Sequence, residues 1–179
     1  MSLLQILKHS KRRGIVTIRY PLVPIEVDEL YRGKPELDPE LCIACGACAN
    51  ACPAEALTVE SSNGVKIWRI FYGRCIYCAR CQEVCPVGAI KLTREFELAS
   101  KSREDLFYEA RFALARCSSC GGVMDVSQRE VDYARELIEI SELPPELKEE
   151  LSRYVAMCQK CKRRAFAENL AGVYIHGER

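Results

Sequence analysis

The run Cys42-Ile-Ala-Cys-Gly-Ala-Cys-Ala-Asn-Ala-Cys52-Pro53 returns 33 residues later as Cys75-Ile-Tyr-Cys-Ala-Arg-Cys-Gln-Glu-Val-Cys85-Pro86, and no other feature constrains the fold as strongly. In Cys-x2-Cys-x2-Cys the three thiols lie too close together for a strand or one helix face. The backbone must therefore wrap a compact object and turn its N–H groups toward sulfur. The chain carries 12 cysteines in 179 residues, more than a core of this size uses as small hydrophobes, so most need a bonded partner. Disulfides are the plain alternative. Against them, the N-terminal MSLLQILKHSKRRG puts apolar residues ahead of basic ones, the reverse of a secretory signal, and offers no small-residue cleavage site. No apolar run approaches the roughly 18 residues that cross a bilayer. The expectation is a cytoplasmic chain whose thiols hold metal.

The comb C-x2-C-x2-C-x3-C-P is the bacterial ferredoxin signature, in which the fourth cysteine ligates the other cluster. That rule assigns one [4Fe-4S] cluster to Cys42, Cys45, Cys48 and Cys85, and a second to Cys75, Cys78, Cys81 and Cys52. Zinc is the alternative for these eight residues, but tetrahedral zinc is held by two separated pairs and has no use for a third thiol two residues on. Pro53 and Pro86 should turn the chain away after a short helix. Ile43, Ala44, Ala47, Ile76 and Ala79 are expected to keep water from the clusters.

Between the combs, Leu57–Glu60 and Val65–Ile70 read as strands joined by Ser61-Ser62-Asn63-Gly64, whose Asn-Gly pair signals a tight hairpin. Residues Ile90–Thr93 supply a matching strand after the second comb. The fold class is α+β: a 2[4Fe-4S] ferredoxin-like domain over 36–94, an N-terminal docking segment over 1–35, and a helical extension over 95–179. Trp68 reads as a packing residue of the hairpin. Residues 94–115 read as a polar connector running into a helix with Leu106, Phe107, Ala110 and Leu114 on one face.

The last four cysteines form two pairs, Cys117-x2-Cys120 followed by Gly121-Gly122, and Cys158-x2-Cys161. Two pairs without a third thiol predict a mononuclear four-thiolate site of structural role. Zn2+ and a rubredoxin-like iron share one tetrahedral geometry there, with zinc slightly preferred. Between the pairs, Ser127-Gln-Arg-Glu130 is a capping box that opens a helix with Val131, Ala134, Leu137 and Ile138 on one face. Pro145 can open a second with Leu147, Leu151, Tyr154 and Val155 turned inward. A helical hairpin this small has little core, so a metal clip would stabilise it.

Charge excludes little except nucleic acid: the net charge is +1 over 26 basic and 25 acidic residues, so no global field favours that partner. If residues 2–13 are helical, Leu3, Ile6 and Leu7 share one face and Lys8, Lys11 and Arg12 another, which suits docking on a membrane subunit, with an ordinary surface helix packed on its own domain as the alternative. The cluster Lys160, Lys162, Arg163 and Arg164 reads as a solvated face, and His9 and His176 as surface residues. No catalytic residue or substrate pocket is expected.

The segments YPLVPI, RGKPELDPELCIACGACANACPAEAL and CIYCARCQEVCPVGAIKLT resemble the two-cluster ferredoxin-like subunit shared by respiratory complex I and the membrane-bound group 4 [NiFe] hydrogenases, over about residues 10 to 115. The formate hydrogenlyase type is the nearer branch, because the complex I version usually lacks the later cysteine pairs. The resemblance implies an electron relay at the cytoplasmic face of the membrane, peripheral through other subunits. Its implied partners are the small and large [NiFe] subunits, an iron-sulfur donor subunit and a membrane-arm subunit. A quinone-reducing complex I-like enzyme and a free dicluster ferredoxin are the alternatives.

Overall fold

The computed structural model describes residues 3–13 and 17–176, in two compact units of which the first spans 1–31 and the second 32–179. The first holds helix α1 (Leu3–Arg13), where the sequence placed a helix. Leu3, Leu4 and Leu7 on it are exposed, as are Lys8, Lys11 and Arg12. The side chains of Ile6, His9 and His176 lie outside the described residues.

In the second unit, β1 (Pro35–Leu37) leads into the first comb, which ends in the one-turn helix α2 (Ala47–Asn50). The hairpin β2 (Leu57–Ser62) and β3 (Val65–Phe71) follows. Its turn residues Asn63 and Gly64 have φ of 50° and 79°, the twin positive angles of a type I′ turn that matches strand twist. The second comb ends in α3 (Arg80–Glu83), and β4 (Ile90–Leu92) returns antiparallel to β1.

The repeat written in the cysteines is also written in the backbone. Ala44 and Tyr77, Gly46 and Ala79, Glu55 and Gly88 all take positive φ, each pair separated by the interval between the combs. Gly46 and Ala79 are the left-handed residues immediately before α2 and α3.

Gly33 explains the Arg-Gly pair ahead of the first comb. Its N–H donates to Thr93 O at 2.9 Å and Lys34 N–H to Glu95 O at 2.7 Å, extending the β1–β4 pairing. A Cβ at position 33 would stand 2.7 Å from Thr93 O, against backbone that cannot swing aside. Gly33→Ala should therefore cost about 1–3 kcal/mol by overpacking. The check is a lowered thermal midpoint relative to the parent protein.

One expectation fails. Residues 107–116 form not a helix but β5 (Phe107–Arg116), paired antiparallel with β3 along the whole length of β3. Helical spacing and alternation coincide at Ala110 and Leu114. The unpaired N–H and C=O groups of β3 decide between them, because β5 satisfies that edge. Trp68 faces Ala110, Phe71 stacks on Phe107 at 4.5 Å, and Arg69 bonds Glu109 at 2.5 Å. Strand β6 (Val123–Ser127) completes a sheet of order β2-β3-β5-β6. The sheet thus runs across the expected boundary at residues 94 and 95.

Ser127 caps α4 (Gln128–Ile140), its hydroxyl accepting from Glu130 N–H at 3.0 Å, as the capping box requires. Helices α5 (Pro145–Val155) and α6 (Gln159–His176) follow. Two cores result. One gathers Leu37, Leu57, Trp68, Ile70, Ile90 and Phe112 around the combs, and the other Ala115, Met124, Val131, Ala156 and Met157 around Cys117. Leu137 and Leu147, expected inward, are partly exposed at 45% and 39%.

Candidate metal centres

The combs line two cavities, and each cavity takes three cysteines from one comb and the fourth from the other. Cys42, Cys45, Cys48 and Cys85 line one of them together with Ile43, Ala44, Trp68 and Ile90. Cys52, Cys75, Cys78 and Cys81 line the other, beside Ala56, Leu57, Ile70 and Leu92.

Backbone donors already point at sulfur. Ala56 N–H meets Cys52 Sγ at 3.3 Å, and Ala89 N–H meets Cys85 Sγ at 3.2 Å, equivalent bonds in the two halves. Ala44 N–H meets Cys42 Sγ at 3.3 Å. The left-handed residues produce this geometry by turning the comb backbone inward around the cavity. Burial pushes the thiols of Cys42 and Cys81 up to about 11, and those of Cys48 and Cys75 up as well. Thiolates disfavoured by burial need cationic metal beside them to ionise.

The two centres differ in cover. Cys42 and Cys48 are buried, with Ile43 and Ala44, whereas Cys78 is exposed and Ile76, expected to exclude water, is 63% exposed. Trp68 differs most from its sequence reading. It is buried, and its indole Nε1–H donates to Cys48 Sγ at 3.2 Å across 20 residues of chain.

The third group is geometrically distinct. Cys117, Cys120, Cys158 and Cys161 place their sulfurs within 4.8 Å of one another, the one such group of three or more candidate ligands among the described residues. A single ion at about 2.3 Å from each thiolate sets sulfur–sulfur edges of about 3.8 Å. Cys120 and Cys158 stand 3.7 Å apart. Among the described residues no three comb sulfurs gather within 4.8 Å of one another, in keeping with thiolates held apart on the corners of an iron-sulfide cube.

Gly121, at φ 70°, turns the knuckle after Cys120 and donates to Cys117 O at 2.9 Å. Cys158 N–H bonds Cys117 Sγ at 3.2 Å, and with the other backbone donors it pulls that thiol down to about 6. Cys158 is also lowered by backbone N–H donation, while Cys161, bonded to Cys158, is pushed up to about 12. Four sulfurs this close cannot all be anionic without a cation among them.

The extension also clasps the first comb. Ser127 Oγ–H donates to Ile43 O at 2.5 Å, and the Arg129 guanidinium reaches Pro39 O, Glu40 O at 2.9 Å and Cys42 O at 3.3 Å. No short-range pattern signals that contact, since α4 and the comb lie almost 90 residues apart. Lys160, Lys162, Arg163 and Arg164 are exposed, as read.

The sequence model described as "4Fe-4S dicluster domain" matches residues 41–89. The chain is 50% identical over 134 residues to formate hydrogenlyase subunit 6 of Escherichia coli, 74% of each chain being covered. It is 43% identical over 119 residues to NADH-quinone oxidoreductase subunit I of Pseudomonas entomophila, covering 60% of this chain and 65% of that protein. A chain in the structure of the membrane-bound sulfane sulfur reductase, an archaeal respiratory membrane complex, aligns with TM-score 0.44 and 33% identity, over 59% of this chain and 60% of that one. The chain belongs to the family of iron-sulfur subunits that includes formate hydrogenlyase subunit 6 and NADH-quinone oxidoreductase subunit I.

Proposed function

We propose that this chain relays electrons within a membrane-anchored, complex I-related [NiFe] hydrogenase complex of the formate hydrogenlyase kind. The observation that carries the reading is the pair of cavities, each ringed by four cysteines in the crossed pattern. Cys42, Cys45, Cys48 and Cys85 would hold one [4Fe-4S] cluster, and Cys75, Cys78, Cys81 and Cys52 the other. When bound, each cluster takes up and gives up a single electron. The chain's own part is to fix the thiolates, shield them from water and direct N–H donors at sulfur.

Cys117, Cys120, Cys158 and Cys161 would hold one structural Zn2+ or rubredoxin-like Fe. The partners are an iron-sulfur donor subunit, the small and large [NiFe] subunits and a membrane-arm subunit, at the cytoplasmic face. No described helix is long and apolar enough to cross a membrane, so attachment would run through those subunits, with the exposed leucines of α1 available for docking. As proposed domains, 1–35 docks, 36–94 carries the clusters and 95–179 is the clipped extension. A quinone-reducing complex I-like assembly is the second reading, favoured by the 43% relation to subunit I.

The test is elemental analysis of the complex purified anaerobically through this chain. The expected result is about eight iron, eight acid-labile sulfide and one zinc or one further iron in this chain once it is separated anaerobically from the complex, with nickel in the co-purifying large subunit. Zinc without sulfide sinks the relay. Sulfide without nickel moves the assignment to the quinone-reducing reading.

A further inference from the structure

We propose that Trp68 sets the reduction potential of one centre only, the one ringed by Cys42, Cys45, Cys48 and Cys85, through its indole N–H bond to Cys48 Sγ. This inference rests on the cluster assignment above.

The asymmetry is the starting point. The backbone donors to sulfur are paired by the internal repeat, Ala56 to Cys52 matching Ala89 to Cys85 and Ala44 to Cys42 matching Tyr77 to Cys75, so they shift both centres alike. The indole has no counterpart: Cys81 corresponds to Cys48, but the place that Trp68 takes opposite Val59 is taken in the other half by Pro35 opposite Leu92, which lines the second cavity and carries no side-chain donor. Trp68 itself is 2% exposed, so its N–H has no water to compete with and its bond at 3.2 Å acts in a low-dielectric setting.

Its placement is fixed by the sheet. Position 68 lies on β3, facing Val59 on one side and Ala110 on the other, and Tyr108 packs edge-on at 6.1 Å. The small Ala110 leaves room for the indole, and the neighbours lock its rotamer so that the N–H has one direction to point.

The chemistry gives the sign. One electron enters the cluster on reduction and no bond forms or breaks, so negative charge on the thiolate sulfurs grows. A donor aimed at that sulfur binds the reduced state more tightly than the oxidised one and raises the potential. Burial of Cys42 and Cys48 works in the opposite direction, since it disfavours the more charged state. Trp68 thus offsets, at this centre, the cost of excluding water.

Trp68→Phe keeps an aromatic ring and removes the donor. In a redox titration of the full-length protein followed by electron paramagnetic resonance, we expect the reduction constant of one centre to fall by about three- to tenfold. Tenfold is 59 mV for a one-electron couple. The other centre should not move. Equal movement of both would indicate general loosening and overturn the inference, as would movement of neither.

If the variant loses iron, the parent protein still decides the matter. Trp68 is the only tryptophan in the chain, so 15N-indole labelling is unambiguous. Pulsed resonance should find 15N coupling on one reduced centre and not on the other. Coupling on neither, in protein with full iron and sulfide, overturns the role of Trp68 while leaving the cluster assignment standing. Protein without sulfide removes both.

Discussion

Cys85→Ala, a change in the second comb, should abolish the same reduced-state resonance signal as Cys42→Ala in the first. Each variant should keep about four of about eight iron atoms. Cys52→Ala and Cys75→Ala should each remove the other signal. Alanine is the appropriate replacement, because a serine oxygen could take the vacated place on iron. The physical basis is the cavity geometry, where Cys85 closes the ring of Cys42, Cys45 and Cys48, and Cys52 that of Cys75, Cys78 and Cys81. If Cys85→Ala instead extinguished the signal lost in Cys75→Ala, each comb would serve its own centre and the crossed assignment would be wrong.

Removal of the metal proposed at the four C-terminal cysteines should unfold the C-terminal core while leaving iron in the combs. That core is small, built from Ala115, Met124, Val131, Ala156 and Met157 around Cys117. Ser118 N–H to Ala156 O at 2.9 Å and Cys158 N–H to Cys117 Sγ at 3.2 Å tie its two ends together across the metal knuckle. An ion present at a hundred to a thousand times its dissociation constant contributes about 2.7–4.1 kcal/mol. Cys158→Ala or a strong chelator should therefore lower amide protection in α4 and α5 by about 100- to 1000-fold, read by hydrogen exchange. Residues 39–43 should lose some protection too, because Arg129 and Ser127 at the start of α4 hold that loop. Unchanged exchange in α4 and α5 would mean that the helices stand without the clip.

Whatever is written in short spacings was legible in the sequence. The combs, the Asn63-Gly64 turn and the Ser127 cap each act within a few residues, and each stands where the pattern put it. Contacts that depend on which strand lies beside which were not legible. Residues 107–116 carry both a helical and an alternating pattern, and only the open edge of β3 resolves them into β5. Trp68 looked like packing because its partner Cys48 lies across the fold, and the residues that bring them together belong to neither motif. The clasp of Arg129 on the first comb was hidden for the same reason. The group of Cys117, Cys120, Cys158 and Cys161 sits between the two cases: its pairs were plain, but the approach of their four sulfurs required the helices to close.

The crossing of the combs bears on how the protein is made. A ribosome delivers Cys42, Cys45, Cys48 and Cys52 first, and at that stage three thiols of one centre lack their fourth and the lone thiol of the other has no companions. The chain has to emerge through Cys81 before one centre can close, and through Cys85 before both can. On the crossed assignment, neither site would have its full set of thiols until the hairpin Leu57–Phe71 has been synthesised, so the topology itself would delay loading of the nascent chain.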